Sequence, residues 1–211
     1  PGMVDPGNAG AVLRFVMGVG ALLPEVSFRT SFQDSLGQRP HGDLLSALEQ
    51  LGVAVESNDG KLPIVLRRCD LHGGQVQVSG AQSSQYLSAL LFMAPLINQD
   101  IEIQVVDRLV SKPLVRTTLE VLCQAGIQVE ADEELMQFSI RGGQDYQPGE
   151  YTVNGDYPSA AAILAAGAVT NSSIEVERLF EDLQGERAVI PLLGQFGVAV
   201  DYNGRAAKLG G

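Results

Sequence analysis

Apolar and polar positions along the chain repeat with a period of roughly 70 residues. Three stretches end a 3.6-residue pattern at a glycine: Ala47-Leu48-Glu49-Gln50-Leu51-Gly52, Val121-Leu122-Cys123-Gln124-Ala125-Gly126 and Leu192-Leu193-Gly194-Gln195-Phe196-Gly197. Each passes into strict alternation, at Val53–Glu56, 127–130 and 198–201. A helix that stops at glycine and re-emerges as a strand is the signature of a left-handed C-cap. Upstream, small-residue turns (Gly7-Asn8-Ala9-Gly10, Gly80-Ala81-Gln82-Ser83-Ser84 and Gly155-Asp156-Tyr157-Pro158-Ser159) precede apolar runs over 12–23, 86–96 and 160–169. Alternation at 75–78, 101–105, 151–153 and 174–176 predicts flanking strands.

Each unit therefore reads strand, turn, apolar helix, strand, loop, amphipathic helix, strand, strand. The period is too long for a solenoid and suits a βαβαββ unit used several times in an α/β fold. The first helices carry apolar residues on most faces and many Gly and Ala, which predicts helices packed inside and sheets outside. Unit one is expected to lack its first strand, because only Pro1–Pro6, with two prolines, precede its turn. That start, Pro1-Gly2-Met3, predicts a processed or truncated chain. A boundary at Tyr146-Gln147-Pro148-Gly149 predicts two units over 1–147 and one unit of a second domain over 148–211.

Composition narrows the classes. The 211 residues are 45% hydrophobic and 18% charged, with a formal net charge of −11. Such an acid balance disfavours nucleic acid, which requires a cationic stripe. No apolar stretch is long enough to span a membrane. Cys69 and Cys123 form neither a disulfide framework nor a metal spacing, so a cytoplasmic location is the default expectation. His41 and His72 lack neighbours at metal spacing, and no Ser-His-Asp order or phosphate-loop motif is present. The run Glu130–Glu134 reads as a solvated hairpin tip.

The candidate chemistry lies where helices begin. The turns at Asn8–Gly10 and Ser83-Ser84-Gln85 offer backbone N–H groups, hydroxyls and an amide at helix N-termini, an arrangement that favours phosphate or carboxylate. Ser and Asn in such places are also ordinary N-caps. Arg39-Pro40 and Ser111-Lys112-Pro113 each place a cation just before a helix-starting proline. Arg39 presents a planar fork suited to oxyanions, although either cation also fits a solvated surface. Arg14 lies within an apolar helix, where its charge requires either a ligand or a buried ion pair.

Taken together, Gly7-Asn8-Ala9-Gly10 with Arg14, Gln38-Arg39-Pro40-x-Gly42, Ser83-Ser84-Gln85-Tyr86-Leu87-x-Ala89-Leu90-Leu91 and Val110-Ser111-Lys112-Pro113 resemble the 5-enolpyruvylshikimate-3-phosphate synthases (3-phosphoshikimate 1-carboxyvinyltransferases). Gly155-Asp156 with Ser159-Ala160 resembles that family's crossover between domains. The resemblance implies an inside-out α/β fold of βαβαββ units. It implies transfer of the enolpyruvyl group of phosphoenolpyruvate to the 5-hydroxyl of shikimate 3-phosphate, in the shikimate pathway to aromatic amino acids. It also implies no metal or organic cofactor and a monomeric whole protein. Ser83, Ser84, Gln85 and Ser111 would bind shikimate 3-phosphate. Gly10, Arg39 and Gln85 would face phosphoenolpyruvate, where glyphosate competes in this family, and Asn8 and Arg14 would shape that pocket. The family usually has Thr at Ala11 and often Tyr at Leu114. Its base and several of its cations have no counterpart in the matched motifs, so this chain alone is expected to be inactive. Two other readings remain: a non-catalytic or degenerate anion-binding module, and a UDP-N-acetylglucosamine enolpyruvyl transferase, which fits the Ser-Ser-Gln and Ser-Lys-Pro motifs less well.

Overall fold

A computed structural model describes residues 2–210; Pro1 and Gly211 lie outside the described residues. The chain divides into two compact units, Pro1–Pro148 and Gly149–Gly211.

The first unit uses one motif twice. Its first half runs β1 (Gly2–Val4), α1 (Gly10–Gly20), β2 (Glu25–Phe28), α2 (Gly42–Gln50), β3 (Val53–Asn58) and β4 (Lys61–Arg68). Its second half runs β5 (Gly74–Val78), α3 (Ser84–Met93), β6 (Ile101–Val105), α4 (Lys112–Gln124), β7 (Glu130–Ala131) and β8 (Gln137–Ile140). The sheets have the equivalent orders β1-β2-β4-β3 and β5-β6-β8-β7. In each, the first pair is parallel across a helical crossover and the rest is antiparallel. The second unit gives α5 (Tyr157–Thr170), β9 (Ile174–Glu177), α6 (Val189–Gln195), β10 (Val200–Tyr202) and β11 (Ala206–Leu209), with the three-stranded order β10-β11-β9.

The repeat is written into the backbone at the glycines. Gly52, Gly126 and Gly197 have φ of 84°, 81° and 80°, the left-handed stop that the pattern predicts.

Three expectations are corrected. Unit one does have a first strand: Gly2–Val4 pairs in parallel with Val26–Phe28. It is an edge strand bonded on one side only, and Pro6 falls after it, so no ladder hydrogen bond is lost to proline. Tyr151–Val153 is not a strand. Val153 is 79% exposed, so alternation there covers no face, and the segment meets β9's end through Gly155 N–H to Arg178 O at 2.7 Å. The strand expected over 127–130 shrinks to Glu130–Ala131. The Gln144 side chain takes the place of a partner strand, accepting from Gln128 N at 2.8 Å and donating to Gln128 O at 3.0 Å.

Packing follows residue size. Leu13 and Met17 of α1, Leu87, Leu90 and Leu91 of α3, and Phe28, Ile64, Leu66, Val76, Ile103 and Phe138 of the sheets are buried in one core. Gly18 lies so close to α3 that a Cβ on it would stand 2.3 Å from the Ala89 carbonyl oxygen. Of the first helices, only α3 is buried nearly all round. α1 leaves Val12 and Val19 exposed, and α5 leaves Ile163 and Val169 exposed. α3 has neighbours on both sides, α1 and α4, whereas α1 meets α3 along one face. The second unit has its own core of Tyr157, Ala160, Leu164, Leu179, Leu193, Ala207 and Leu209.

Candidate functional site

The site lies in the first unit, where α1 and α3 begin. Arg14 touches Gln85, and Gly18 touches Ala89. Both pairs step four residues along their helices in the same sense, so the helices run parallel and their N-termini emerge together. Two positive helix ends therefore share one face, which favours an anion there.

Side chains add to that field. Arg14 Nη1 donates to Gln85 Oε1 at 2.6 Å and to Ser83 Oγ at 3.2 Å. Ser83 is the N-cap of α3, and its Oγ also accepts from Gln85 N at 3.2 Å. The Arg14 guanidinium carbon sits 5.0 Å from the centre of the Tyr86 ring, a cation–π contact. The Tyr86 hydroxyl donates to Pro40 O at 2.7 Å, tying α3 to the segment that carries Arg39. Gly10 opens α1 with no side chain because Arg39 occupies the space: a Cβ there would lie 2.9 Å from Arg39 Nη1.

Arg14 resolves the choice between ligand and buried ion pair in an unforeseen way, since its partners are neutral. Among the described residues, ion pairs engage Arg67, Lys112 and Arg187, never Arg14 or Arg39. Burial pulls the Arg14 pKa below its ordinary value; the Tyr86 interaction opposes this and nearby Arg39 adds to it. Two guanidinium groups face one another's field with no carboxylate between them. Arg39 is exposed, so the cost of this arrangement falls on half-buried Arg14, and a bound anion offsets it.

Ser84 is buried and lines an adjacent groove of about 320 Å³ with Ala11, Phe15, Gln85, Ser88, Phe92 and Leu114. The two departures from the family pattern, Ala11 and Leu114, meet in this groove and make its wall apolar. Asn8 is exposed in the turn before α1, and Ser111 is exposed at the start of α4 with φ of 53°. No hydrogen bond among those described joins either residue to the Arg14 cluster. Lys112 pairs with Glu134 at 2.7 Å. The acidic run is exposed throughout, as a solvated hairpin tip should be, and the hydrogen bond from Lys112 holds the Glu134 carboxyl below its usual range.

The sequence reading missed Tyr86 and His41 as members of the cluster. Tyr86 carried one signal, its position two residues after a capped helix start. His41 is fully buried beside the two arginines, and its linear context gave none. Among the described residues, no group of three or more His, Cys, Asp or Glu is placed to hold a metal, and no helix is long and apolar enough to cross a membrane.

Comparison with known proteins shows which family the chain falls in. The family model "EPSP synthase (3-phosphoshikimate 1-carboxyvinyltransferase)" matches residues 2–208. A 3-phosphoshikimate 1-carboxyvinyltransferase of Deinococcus radiodurans is 46% identical over 202 residues, covering 95% of this chain and 46% of its own. Those of Burkholderia pseudomallei and Methanococcus vannielii are 38% and 34% identical, covering 93% and 99% of this chain and 44% and 50% of their own. The chain thus spans about half the length of the curated relatives it matches. The structure of an EPSP synthase from Acinetobacter baumannii superposes with a TM-score of 0.74 at 19% identity, covering all of this chain and 48% of that one, which establishes the shared fold. On the family match and these identities, the chain belongs to the EPSP synthase family.

Proposed function

We propose that this chain supplies a substrate-binding surface for transfer of the enolpyruvyl group of phosphoenolpyruvate to the 5-hydroxyl of shikimate 3-phosphate. In that reaction a C–O bond forms between the hydroxyl oxygen and C2 of phosphoenolpyruvate. The C2–O bond to phosphorus breaks, and phosphate departs with the hydroxyl proton. Both substrates are anions, and the observation that carries the reading is the Arg14–Arg39 pair at two helix N-termini without a carboxylate partner.

Arg39, flanked by Gly10, faces phosphoenolpyruvate in this reading, and Gln85 is held for both substrates by Arg14. Ser83, Ser84 and Ser111 bind shikimate 3-phosphate, and Asn8 closes the turn beside Gly10. No organic cofactor or metal takes part. Proton transfer requires a general base within hydrogen-bond reach of the moving proton; apart from the fully buried His41 ring, this cluster has only cations, hydroxyls and amides. Residues 1–147 are then two units of one domain and 148–211 one unit of another, working in the cytoplasm as part of a monomer.

The test is titration of shikimate 3-phosphate and phosphoenolpyruvate into the chain while amide resonances and phosphate release are followed. Saturable shifts at Ser83–Gln85 and Gly10 without turnover are expected. Absence of shifts at these residues with either substrate would overturn the reading. Binding of a UDP-sugar in place of shikimate 3-phosphate would reassign it to the related transferase.

A further inference from the structure

Ser111 is the N-cap of α4, yet its hydroxyl makes no capping bond. An N-cap residue is ordinarily extended, so that its oxygen reaches the second or third N–H of the helix. Ser111 is instead left-handed, with φ of 53° and ψ of 45°. Asp107, four residues before it, has φ of 84°. Residues other than glycine hold such conformations only where their surroundings over-determine them. Here a joint to the turn before α3 does so. The loop leaves β6 with Val106 N–H donating to Val78 O at 3.0 Å, and Val110 N–H donates to Gly80 O at 3.1 Å. Between these two bonds the buried Leu109 lies against Gly80. A Cβ on that glycine would stand 2.9 Å from Leu109 Cδ1 and 3.1 Å from the Arg108 carbonyl oxygen. Val110 is the residue before Ser111, and Gly80 is three residues before Ser83.

The fastening recurs with the repeat. In the second unit Gly155 N–H donates to Arg178 O at 2.7 Å, and a Cβ on Gly155 would stand 3.1 Å from Cδ2 of the buried Leu179. At the start of the chain the buried Thr30 donates its hydroxyl to Gly7 O at 2.6 Å. Two residues past Thr30 and Leu179 stand Phe32 and Glu181, whereas two residues past Leu109 stands a serine whose hydroxyl is withheld from its own helix. We propose that Leu109 is a positioning residue for Ser111. Packed on Gly80, it holds the loop in the left-handed form that leaves the Ser111 hydroxyl free for a bound oxyanion, and it makes the Ser83 turn and the Ser111 loop one framework. A smaller side chain at position 109 lets the loop relax to the extended form, in which Ser111 caps α4 and is lost to the ligand.

The inference rests on the proposed function for the identity of the anion, shikimate 3-phosphate. The experiment combines amide hydrogen exchange at Val110 with titrations of shikimate 3-phosphate and phosphoenolpyruvate into the chain as wild type, Leu109→Ala and Leu109→Met, read at the amides of Gly10, Ser83–Gln85 and Ser111. In the wild type the Val110 N–H should be protected, and shikimate 3-phosphate should shift Ser83 and Ser111 along one saturation curve. Leu109→Ala should weaken shikimate 3-phosphate binding about tenfold, the scale of one lost hydrogen bond to a charged group. It should remove the response of Ser111, keep that of Ser83 and leave phosphoenolpyruvate affinity unchanged. Leu109→Met, which nearly conserves volume, should recover binding to within about threefold. Unchanged shikimate 3-phosphate affinity in Leu109→Ala, or an equal loss for both substrates, overturns the proposal. If Leu109→Ala does not fold, the wild type still decides: a Val110 N–H that exchanges as freely as an exposed loop amide, or a Ser111 amide that stays fixed while Ser83 titrates, overturns it. Wild-type protein that fails to bind shikimate 3-phosphate while its Val110 N–H is protected would refute the proposed function and leave the Gly80–Leu109 joint standing.

Discussion

Gly10 packs against Arg39 and His41 feels both arginines, and each makes a prediction at the scale of one residue. A methyl group at Gly10 would meet the far end of the flexible Arg39 side chain at 2.9 Å. Gly10→Ala should therefore leave the melting temperature nearly unchanged, since the arginine swings aside. Phosphoenolpyruvate affinity, measured by calorimetry, should fall about tenfold, the order expected for one charge-assisted hydrogen bond. His41 supplies a pH dependence. Burial and the two arginines lower its pKa to about 4, while the unfolded chain restores a value of about 6.5. Between these values the unfolded state binds more protons, so stability falls as pH drops from about 6.5 to about 4. The loss approaches about 3 kcal/mol at the acid end. Urea unfolding at stepped pH should display this slope in wild type and a flatter one in His41→Phe. Gly10, Arg14, Arg39, Ser83 and Gln85 were legible in the sequence because helix starts, prolines and a charge in an apolar helix leave linear marks. His41 and Tyr86 were not, because their roles arise only when segments roughly 45 residues apart meet.

At the scale of elements, the recurring helix–glycine–strand joint was the most legible feature of the chain. Its three copies nevertheless differ in surroundings. At Gly52 a Cβ would stand 1.9 Å from the Asp70 carbonyl oxygen, whereas at Gly197 it would meet nothing within 4 Å. Gly197→Ala should cost only left-handed strain, about 1 kcal/mol. Gly52→Ala should cost distinctly more, because backbone must shift; chemical denaturation of the two variants checks the order. A similar argument holds between α1 and α3: Gly18→Ala drives a methyl into the Ala89 carbonyl and should destabilise by about 1–3 kcal/mol. Element ends were read less well than element types. Alternation at Tyr151–Val153 mimics a strand without covering a face, and Gln144 supplies side-chain hydrogen bonds where the pattern at 127–130 anticipated a neighbouring strand. Proline near Gly2–Val4 masked an edge strand, because proline excludes only the ladder bonds that it would itself have made.

At the scale of the whole molecule, the net charge of −11 and the anion site are compatible because the charges are segregated. The acidic residues lie largely on exposed loops and strand faces, while Arg14 and Arg39 stand apart from them at two helix ends. Counterions screen the distant carboxylates within about 10 Å at ordinary ionic strength, so placement outweighs total charge. The central claim is that this unpaired arginine cluster binds phosphoenolpyruvate. Its most direct test is an amide-shift titration of phosphoenolpyruvate into wild-type chain and Arg39→Ala at fixed ionic strength. The account predicts saturable shifts centred on Gly10, Arg39 and Gln85 in the wild type, and at least tenfold weaker binding in the variant with an unchanged melting temperature. Equal affinity in the two proteins, or shifts centred away from the start of α1 and α3, would contradict it.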